Sequence, residues 1–199
     1  MNKRHALRTL AAGAGALLGL HLSGCTEAKP TFNAVDMTGA DYAKNFALTD
    51  ADGKARTLAD FKGKVVVLFF GYAQCPDVCP TTMTEMAQVK QKLGKDGDKL
   101  QVLFVTVDPE RDTPAVLKQF VGAFHPRTIG LTGSPEAIAA TAKSYAVYFK
   151  KGEVTSNGGY MMDHSRVAYL MSPEGKPLAL LPSEGTPQAI ATEMKRWVH

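Results

Sequence analysis

A continuous apolar run that leads directly into two cysteines constrains the fold of this chain most strongly. The run KVVVLFFGY, residues 64–72, is rich in β-branched and aromatic side chains. Such a run is typical of a strand buried on both faces, in the centre of a sheet covered by helices. Cys75 and Cys79 follow it within the segment GYAQCPDVCPTT. Because chemistry in open α/β sheets lies beyond the carboxyl ends of the strands, we expect the cysteine pair to mark the site.

The rest of the chain alternates strand and helix patterns. A hairpin pattern around an Asp-Gly turn covers residues 46–58, and a second one around a Pro-Glu-Gly turn covers 166–182. Further strands are predicted at 100–107 and 128–133, and helices at 81–94, 113–124, 134–149 and 186–198. Residues 150–165 form a Gly-containing loop or hairpin. This order predicts an α/β, thioredoxin-like fold: a mixed central sheet flanked by helices, with an extra N-terminal hairpin and an insertion.

The N-terminus has the pattern of an export signal. Basic residues come first, an apolar segment rich in small residues follows, and Leu-Ser-Gly precedes Cys25. This ending resembles the bacterial lipobox, in which the cysteine is lipidated and the chain is cleaved before it. We therefore expect a lipoprotein-type signal at 1–24, a tether or linker at 25–45 and one domain at 46–199. The alternative is an uncleaved membrane anchor. Both place the domain outside the cytoplasm, and lipidation at Cys25 predicts a bacterial cell membrane with the domain facing the periplasm.

The charge distribution gives no indication of nucleic-acid binding. Three of the 23 basic residues lie in the first eight positions, and all 19 acidic residues follow Cys25. The part of the chain after the signal is therefore almost neutral, without the basic excess that a nucleic-acid partner would favour.

The residues alone leave three roles open for Cys75 and Cys79: a structural disulfide, a redox pair or a metal site. Three residues separate these cysteines, whereas a thioredoxin-type redox pair has two between them. Pro80 is tolerated only in the first turn of a helix, so Cys79 is predicted at a helix N-terminus and Cys75 in the preceding loop. The positive end of the helix dipole favours a thiolate there.

A metal site needs a third ligand, and His164 is the best candidate among the five histidines. His5 and His21 belong to the predicted signal, His125 is expected to cap a helix, and His199 is terminal. In a thioredoxin-like fold, the loop before the strand near Arg166 faces the cysteine loop. Two thiolates and an imidazole form a soft, low-coordinate set that suits Cu(I) better than a closed four-ligand zinc site. A polar loop residue without a ligand role is the alternative for His164.

Three motifs together resemble the Sco/SenC family of copper-binding, thioredoxin-like proteins. GYAQCPDVCPTT, VTVDPERDTP and YMMDHS follow one another in this order, and the resemblance covers roughly residues 46–198. It implies copper binding, as Cu(I) and also as Cu(II), by Cys75, Cys79 and His164. Asp77 and Asp163 would be acids near the site. The chain has Ala73-Gln74 where the family often has Thr-His, outside the ligand set.

The resemblance also implies a function and partners. Family members help to build the dinuclear copper site of cytochrome c oxidase subunit II, so we expect a metallochaperone rather than an enzyme. Because copper binding needs the reduced dithiol, a periplasmic thiol reductant is a further expected partner. The alternative is a thiol–disulfide oxidoreductase in which Cys75 and Cys79 form a redox disulfide. It would reduce the cysteines of the oxidase site or remove peroxide.

Two further motifs have simpler structural interpretations. Asp108–Pro114, DPERDTP, lies between a strand and a helix, where turn and capping roles explain it. Asp77 is in a position to cap the helix that follows. Met161 and Met162 precede the candidate ligand, and their thioethers are possible auxiliary ligands for copper, although packing under the loop is the preferred interpretation.

Overall fold

The computed structural model describes residues 34–181 and 185–198. The predicted export signal, Cys25 and the first part of the predicted linker lie outside these residues, as does His199. Within the described part, no helix combines the length and the apolar character needed to cross a membrane.

An eight-stranded mixed sheet forms the centre of the domain, as the sequence predicted. Its strands are β1 (Val35–Asp36), β2 (Ala47–Asp50), β3 (Ala55–Thr57), β4 (Val65–Gly71), β5 (Leu100–Thr106), β6 (Ile129–Thr132), β9 (Ala168–Met171) and β10 (Pro177–Leu181), while β7 (Phe149–Lys151) and β8 (Met162–His164) form a separate antiparallel pair. The spatial order of the main sheet is β1-β10-β9-β4-β5-β6-β2-β3.

The middle of the sheet contains three parallel strands, of which β4 and β5 are fully buried. β4 pairs in parallel with β5, and β5 with β6, in agreement with the strand–helix–strand order of the sequence. Every residue of β4 and β5 is buried. β9 and β10 form the predicted hairpin and pair antiparallel to this core through β9 and β4. The cysteine segment follows β4 directly, so the core strand fixes where the segment begins.

Within residues 34–181 and 185–198, four α-helices flank the sheet, and three of them share a start signal. Thr113, Ser134 and Thr186 each accept a hydrogen bond from a backbone N–H, and a proline follows each of them. The helices are α1 (Val78–Leu93), α2 (Pro114–Phe124), α3 (Pro135–Ser144) and α4 (Pro187–Met194).

The helix predicted at 134–149 is too long. α3 ends at Ser144, and Ala146 has a φ of +53°, which does not continue a right-handed helix. Phe149 then begins β7 and pairs with His164. The apolar periodicity continued past the helix end because Tyr145 and Val147, which follow it, are also buried against the core.

The two ends of the main sheet carry the N-terminal additions. The predicted hairpin is formed by β2 and β3, and β2 also pairs with β6. The described end of the predicted linker differs from a free tether, because Val35 and Asp36 pair with β10, and Met37 and Ala43 are buried. The edge of β10 offers unpaired backbone groups, which a short polar segment can satisfy without an apolar pattern.

Candidate metal centre

Cys79 lies in the first turn of α1, as predicted, and is completely buried at 0% exposure. Pro80 follows it without disturbing the helix, since the first turn has no internal partner for its missing N–H. Space for the sulfur comes from Gly71 at the end of β4. A Cβ atom added at Gly71 would lie 2.7 Å from Cys79 Sγ. The glycine is therefore part of the site.

Cys75 lies in the loop between β4 and α1 and is only partly buried. Its backbone N–H donates to the carbonyl of Tyr72 at 3.2 Å, which tightens the loop after the strand. Both Cys75 and Cys79 are free thiols in this structure. Cys75 is thus partly accessible to solvent, whereas Cys79 is enclosed.

His164 reaches the cysteines from the β7–β8 pair, where it is the last residue of β8 and is 7% exposed. Its Nδ1 lies 3.0 Å from the carbonyl oxygen of Ser165. Because a carbonyl can only accept, Nδ1 carries the proton and Nε2 presents a lone pair. Nε2 lies 3.6 Å from Cys79 Sγ. Burial lowers the pKa of His164, which also favours the neutral imidazole that binds metals.

The three side chains together have the geometry of a metal site. One ligand atom from each of Cys75, Cys79 and His164 can be chosen so that all lie within 4.8 Å of one another. Ligand atoms about 2.0–2.3 Å from an ion lie at most about 4.6 Å apart, so small movements bring all three onto one ion. Two sulfurs and one imidazole nitrogen suit Cu(I) or zinc. Their role as ligands stays a prediction, whereas their proximity is observed.

Burial opposes the thiolate that the helix dipole was expected to favour at Cys79. Burial is the largest influence, and it raises the pKa of this thiol well above the ordinary value. The position at the helix start is confirmed, but desolvation disfavours a lone negative charge there. A cation bound between the sulfurs would supply the missing stabilisation.

The Asp108–Pro114 segment does more than turn the chain. Asp112 is buried, and its Oδ2 accepts hydrogen bonds from the Ala73 backbone N–H at 2.9 Å and from the Thr106 hydroxyl at 2.6 Å. The expected cap at Thr113 is confirmed, and it accepts from Val116. Asp112 therefore holds Ala73, near the start of the cysteine loop, against the end of β5.

Arg111 connects the two halves of the site, which the sequence interpretation missed. Its guanidinium pairs with Asp108 at 2.5 Å and donates to Gln74 Oε1 at 3.2 Å and to the Tyr160 carbonyl at 2.9 Å. It also stacks on the Tyr160 ring at 3.5 Å. Gln74 belongs to the cysteine loop and Tyr160 to the segment before His164. The strand order could have indicated a role for Arg111 at the site, because Arg111 follows β5 and the carboxyl end of β5 adjoins that of β4.

The other residues that the sequence analysis singled out differ in their exposure and in their capping roles. Asp77 and Asp163 are exposed. Asp77 is the N-cap residue of α1 by position, but its side chain makes no capping hydrogen bond. Met162 is buried as expected, whereas Met161 is 53% exposed. His125 caps the end of α2, as predicted.

Comparison with known proteins identifies relatives over most of the chain. The SCO1/SenC family model matches residues 35–199. "Protein SCO2 homolog, mitochondrial" of Bos taurus is 45% identical over 133 residues, which is 66% of this chain and 50% of that protein. A "SCO2-like protein" of Rickettsia felis is 33% identical over 190 residues, covering 94% of this chain and 92% of the relative.

A solved structure has the same fold and a related sequence. "Structure of Bradyrhizobium japonicum ScoI with copper bound" superimposes with a TM-score of 0.73 at 44% identity, covering 78% of this chain and 99% of that one. The chain spans about half the length of the first mitochondrial relatives that it matches. Because the family model matches residues 35–199, which include the three candidate ligands, and the Rickettsia felis relative covers 94% of this chain, the chain belongs to the SCO1/SenC family.

Proposed function

We propose that this protein is an extracytoplasmic copper chaperone. It binds one copper ion through Cys75, Cys79 and His164 and assists assembly of the copper site of cytochrome c oxidase subunit II. The observation that carries the proposal is the approach of these three ligand atoms to within 4.8 Å. The relative from Bradyrhizobium japonicum, whose structure has copper bound, supports copper as the cargo.

The chemistry of the donors supports a carried ion rather than a permanent one. Three soft ligands leave at least one side of an ion open, and Cys75 is only partly buried. An acceptor protein can therefore approach the ion and replace these ligands one at a time. A disulfide between Cys75 and Cys79 would remove both sulfur donors, so the proposal includes a periplasmic thiol reductant that keeps them reduced.

The proposal is tested by oxidase assembly under limiting copper. A strain that lacks this protein is complemented with the wild type or with Cys75→Ser, Cys79→Ser or His164→Ala, and the copper content of the isolated oxidase is measured. We expect only the wild type to restore copper to subunit II. Full restoration by all three variants would refute a copper-carrying role.

A thiol–disulfide oxidoreductase is the second candidate, and the unequal exposure of the two thiols favours it. A target disulfide can reach the partly buried Cys75, while Cys79 lies close behind it. The two thiols would form a disulfide, and two electrons and two protons would pass to the target disulfide. This role needs both cysteines but not His164. Normal assembly with His164→Ala, together with failure of both cysteine variants, would support it over copper carriage.

The location and boundaries follow from the sequence pattern and are part of the proposal. Residues 1–24 would be removed as an export signal, and Cys25 would carry lipid that holds the domain at the periplasmic face of a bacterial membrane. We place the start of the domain before residue 46, because Val35 and Asp36 belong to the sheet. Cys25→Ser should release the protein from the membrane fraction and abolish incorporation of labelled fatty acid.

A further inference from the structure

Met161 presents a thioether to solvent beside the metal centre. It is 53% exposed, whereas its neighbour Met162 is 9% exposed. The backbone of Met161 is held in place, because the Gly152 N–H donates to its carbonyl at 2.8 Å. The residue thus combines a fixed backbone with a side chain that is open to solvent, an arrangement that core packing does not explain.

Tyr72 connects this thioether with the three candidate ligands. Its hydroxyl donates to Met161 Sδ at 3.7 Å. Its ring meets the His164 imidazole edge-on, with 5.8 Å between the ring centroids. The backbone carbonyl of Tyr72 accepts a hydrogen bond from the Cys75 N–H at 3.2 Å, so the same tyrosine also contacts Cys75. Met161 therefore lies at the outer rim of the same cluster as Cys75 and His164.

The chemistry of a thioether suits a temporary copper ligand. It is soft and neutral, it binds Cu(I) without losing a proton, and it does not close a disulfide. Cys79 and His164, by contrast, are buried, so a donor nearer the surface would give the ion a ligand on the path between them and an acceptor. Cys75 and Met161 are the two sulfur atoms that this rim offers among the described residues.

We propose that Met161 is an exchange ligand that binds Cu(I) while the ion enters or leaves the site formed by Cys75, Cys79 and His164. The inference rests on the proposed copper-carrying function. During release, a bond from copper to Met161 Sδ forms as the bond to His164 Nε2 breaks. Copper stays Cu(I), and no electron is transferred. The acceptor then replaces the remaining ligands from the solvent side.

Transfer kinetics test this role. The full chain is loaded anaerobically with one equivalent of Cu(I), and transfer to a chromogenic Cu(I) chelator is followed by stopped-flow absorbance. Met161→Leu removes the sulfur and keeps a similar volume at an exposed position. We expect transfer to slow about tenfold, equivalent to about 1.4 kcal/mol in activation free energy. The amount of copper bound at equilibrium should remain one ion per chain.

Met162→Leu is the matched control, because it makes the same chemical change one residue away at a buried position. Its transfer rate should stay within about twofold of the wild type, a change below about 0.5 kcal/mol. An unchanged rate in Met161→Leu would overturn the proposal. So would equal slowing in both variants, because that result would assign the effect to packing rather than to the exposed sulfur.

A spectroscopic experiment detects the bond itself. Selenomethionine-labelled full chain carrying His164→Ala is mixed with less than one equivalent of Cu(I), at a protein concentration high enough to keep the weakened site occupied and without removal of metal. Selenium scattering is then sought in the copper-edge X-ray absorption spectrum. We expect one copper–selenium contact, which disappears when Met161→Leu is added and persists with Met162→Leu. Absence of the contact would overturn the proposal. Failure of the wild type to bind copper at all would refute the chaperone function itself, which separates the two failures.

Discussion

The Nε2 atom of His164 lies 3.6 Å from the Sγ atom of Cys79, although 85 positions separate the two residues in the chain. The two residues belong to different elements of the fold. Cys79 is fixed by the junction of β4 with α1, and His164 by its pairing with Phe149 in the β7–β8 hairpin. Each side chain is buried before any ion is added, so the fold itself brings the donors together.

Gly71 should be required for the placement of the Cys79 sulfur. In Gly71→Ala the new methyl group would lie 2.7 Å from Cys79 Sγ and 2.9 Å from a ring carbon of Phe104. We expect the free energy of unfolding, measured by urea denaturation, to fall by about 1–3 kcal/mol. Copper binding should weaken as well, because the sulfur has to move.

Gly122→Ala is the control for this change. Gly122 lies in α2, and a Cβ atom added there has no neighbour within 4 Å. An alanine in this helix should stabilise the fold by about 0.5–1 kcal/mol. If Gly71→Ala leaves both stability and copper binding unchanged, the close approach at Gly71 is not a constraint.

Arg111 should stabilise the fold and keep the cysteine loop close to the segment that precedes His164. In Arg111→Met the buried Asp108 carboxylate loses its ion-pair partner, and Gln74 and the Tyr160 carbonyl lose their shared donor. Removing one member of a buried pair leaves an uncompensated charge, so we expect a loss of about 2–4 kcal/mol in the free energy of unfolding.

Arg127→Met removes the same kind of side chain from an exposed ion pair with Asp98. Exposed pairs contribute little, so this control should lose less than about 1 kcal/mol. Equal losses of unfolding free energy in the two variants would contradict the role of Arg111 in connecting the parts of the site. Copper affinity, measured on the same samples, should fall only in Arg111→Met.

Asp50 should give the N-terminal hairpin a measurable pH dependence. Burial alone raises the pKa of Asp50, but hydrogen bonds from the Lys54 N–H, the Arg56 guanidinium and the Asp52 N–H together hold it below the usual 3.8. Because the folded pKa is the lower one, the stabilisation is present above pH 3.8 and is lost as the pH falls through the folded value.

Asp50→Asn should therefore lower the free energy of unfolding by about 1–3 kcal/mol at pH 7. The difference from the wild type should shrink below about pH 4. Asp52→Asn, which alters only an exposed pair with Lys118, should show neither effect. A wild-type advantage that stays constant down to pH 3 would contradict the assignment.

Cys75 should react before Cys79. In the reduced, metal-free protein, Cys75 is partly buried, whereas Cys79 is fully buried and its pKa is raised. With limiting iodoacetamide, we expect the peptide that contains Cys75 to be alkylated at least about tenfold faster, as measured by mass spectrometry. Bound Cu(I) should protect Cys75. Faster alkylation of Cys79 would invalidate the burial difference on which the exchange and redox schemes rest.

The parts of the fold that the sequence predicted are those with a strong local signal. β4 and β5 are continuous apolar runs, and Pro80 limits where α1 can start. The position of His164 required more than a local signal, because it depends on which loop faces the cysteines. The resemblance to a known family and the thioredoxin-like element order supplied that information.

The features that the sequence did not reveal depend on tertiary contacts. Val35 and Asp36 form a strand because β10 has an open edge, although both residues are exposed and carry no local strand signal. Arg111 appeared to belong to a turn, and its stacking on Tyr160 depends on a loop 49 positions away in the chain. The exposure of Met161 and the burial of Met162 follow from the register of β8. A strand of three residues is too short for its register to be predicted from the sequence.

Copper stoichiometry in the reduced protein tests the central claim most directly. The full chain is reduced without oxygen, incubated with excess Cu(I), freed of unbound metal and assayed for copper by atomic absorption, alongside His164→Ala. Losing an outer-shell partner of a metal ligand typically weakens binding about 10–100-fold, so loss of the ligand itself should weaken it at least about 100-fold. We predict one copper ion per wild-type chain and a large loss in the variant. Full copper retention by His164→Ala would contradict the three-ligand site on which the account depends.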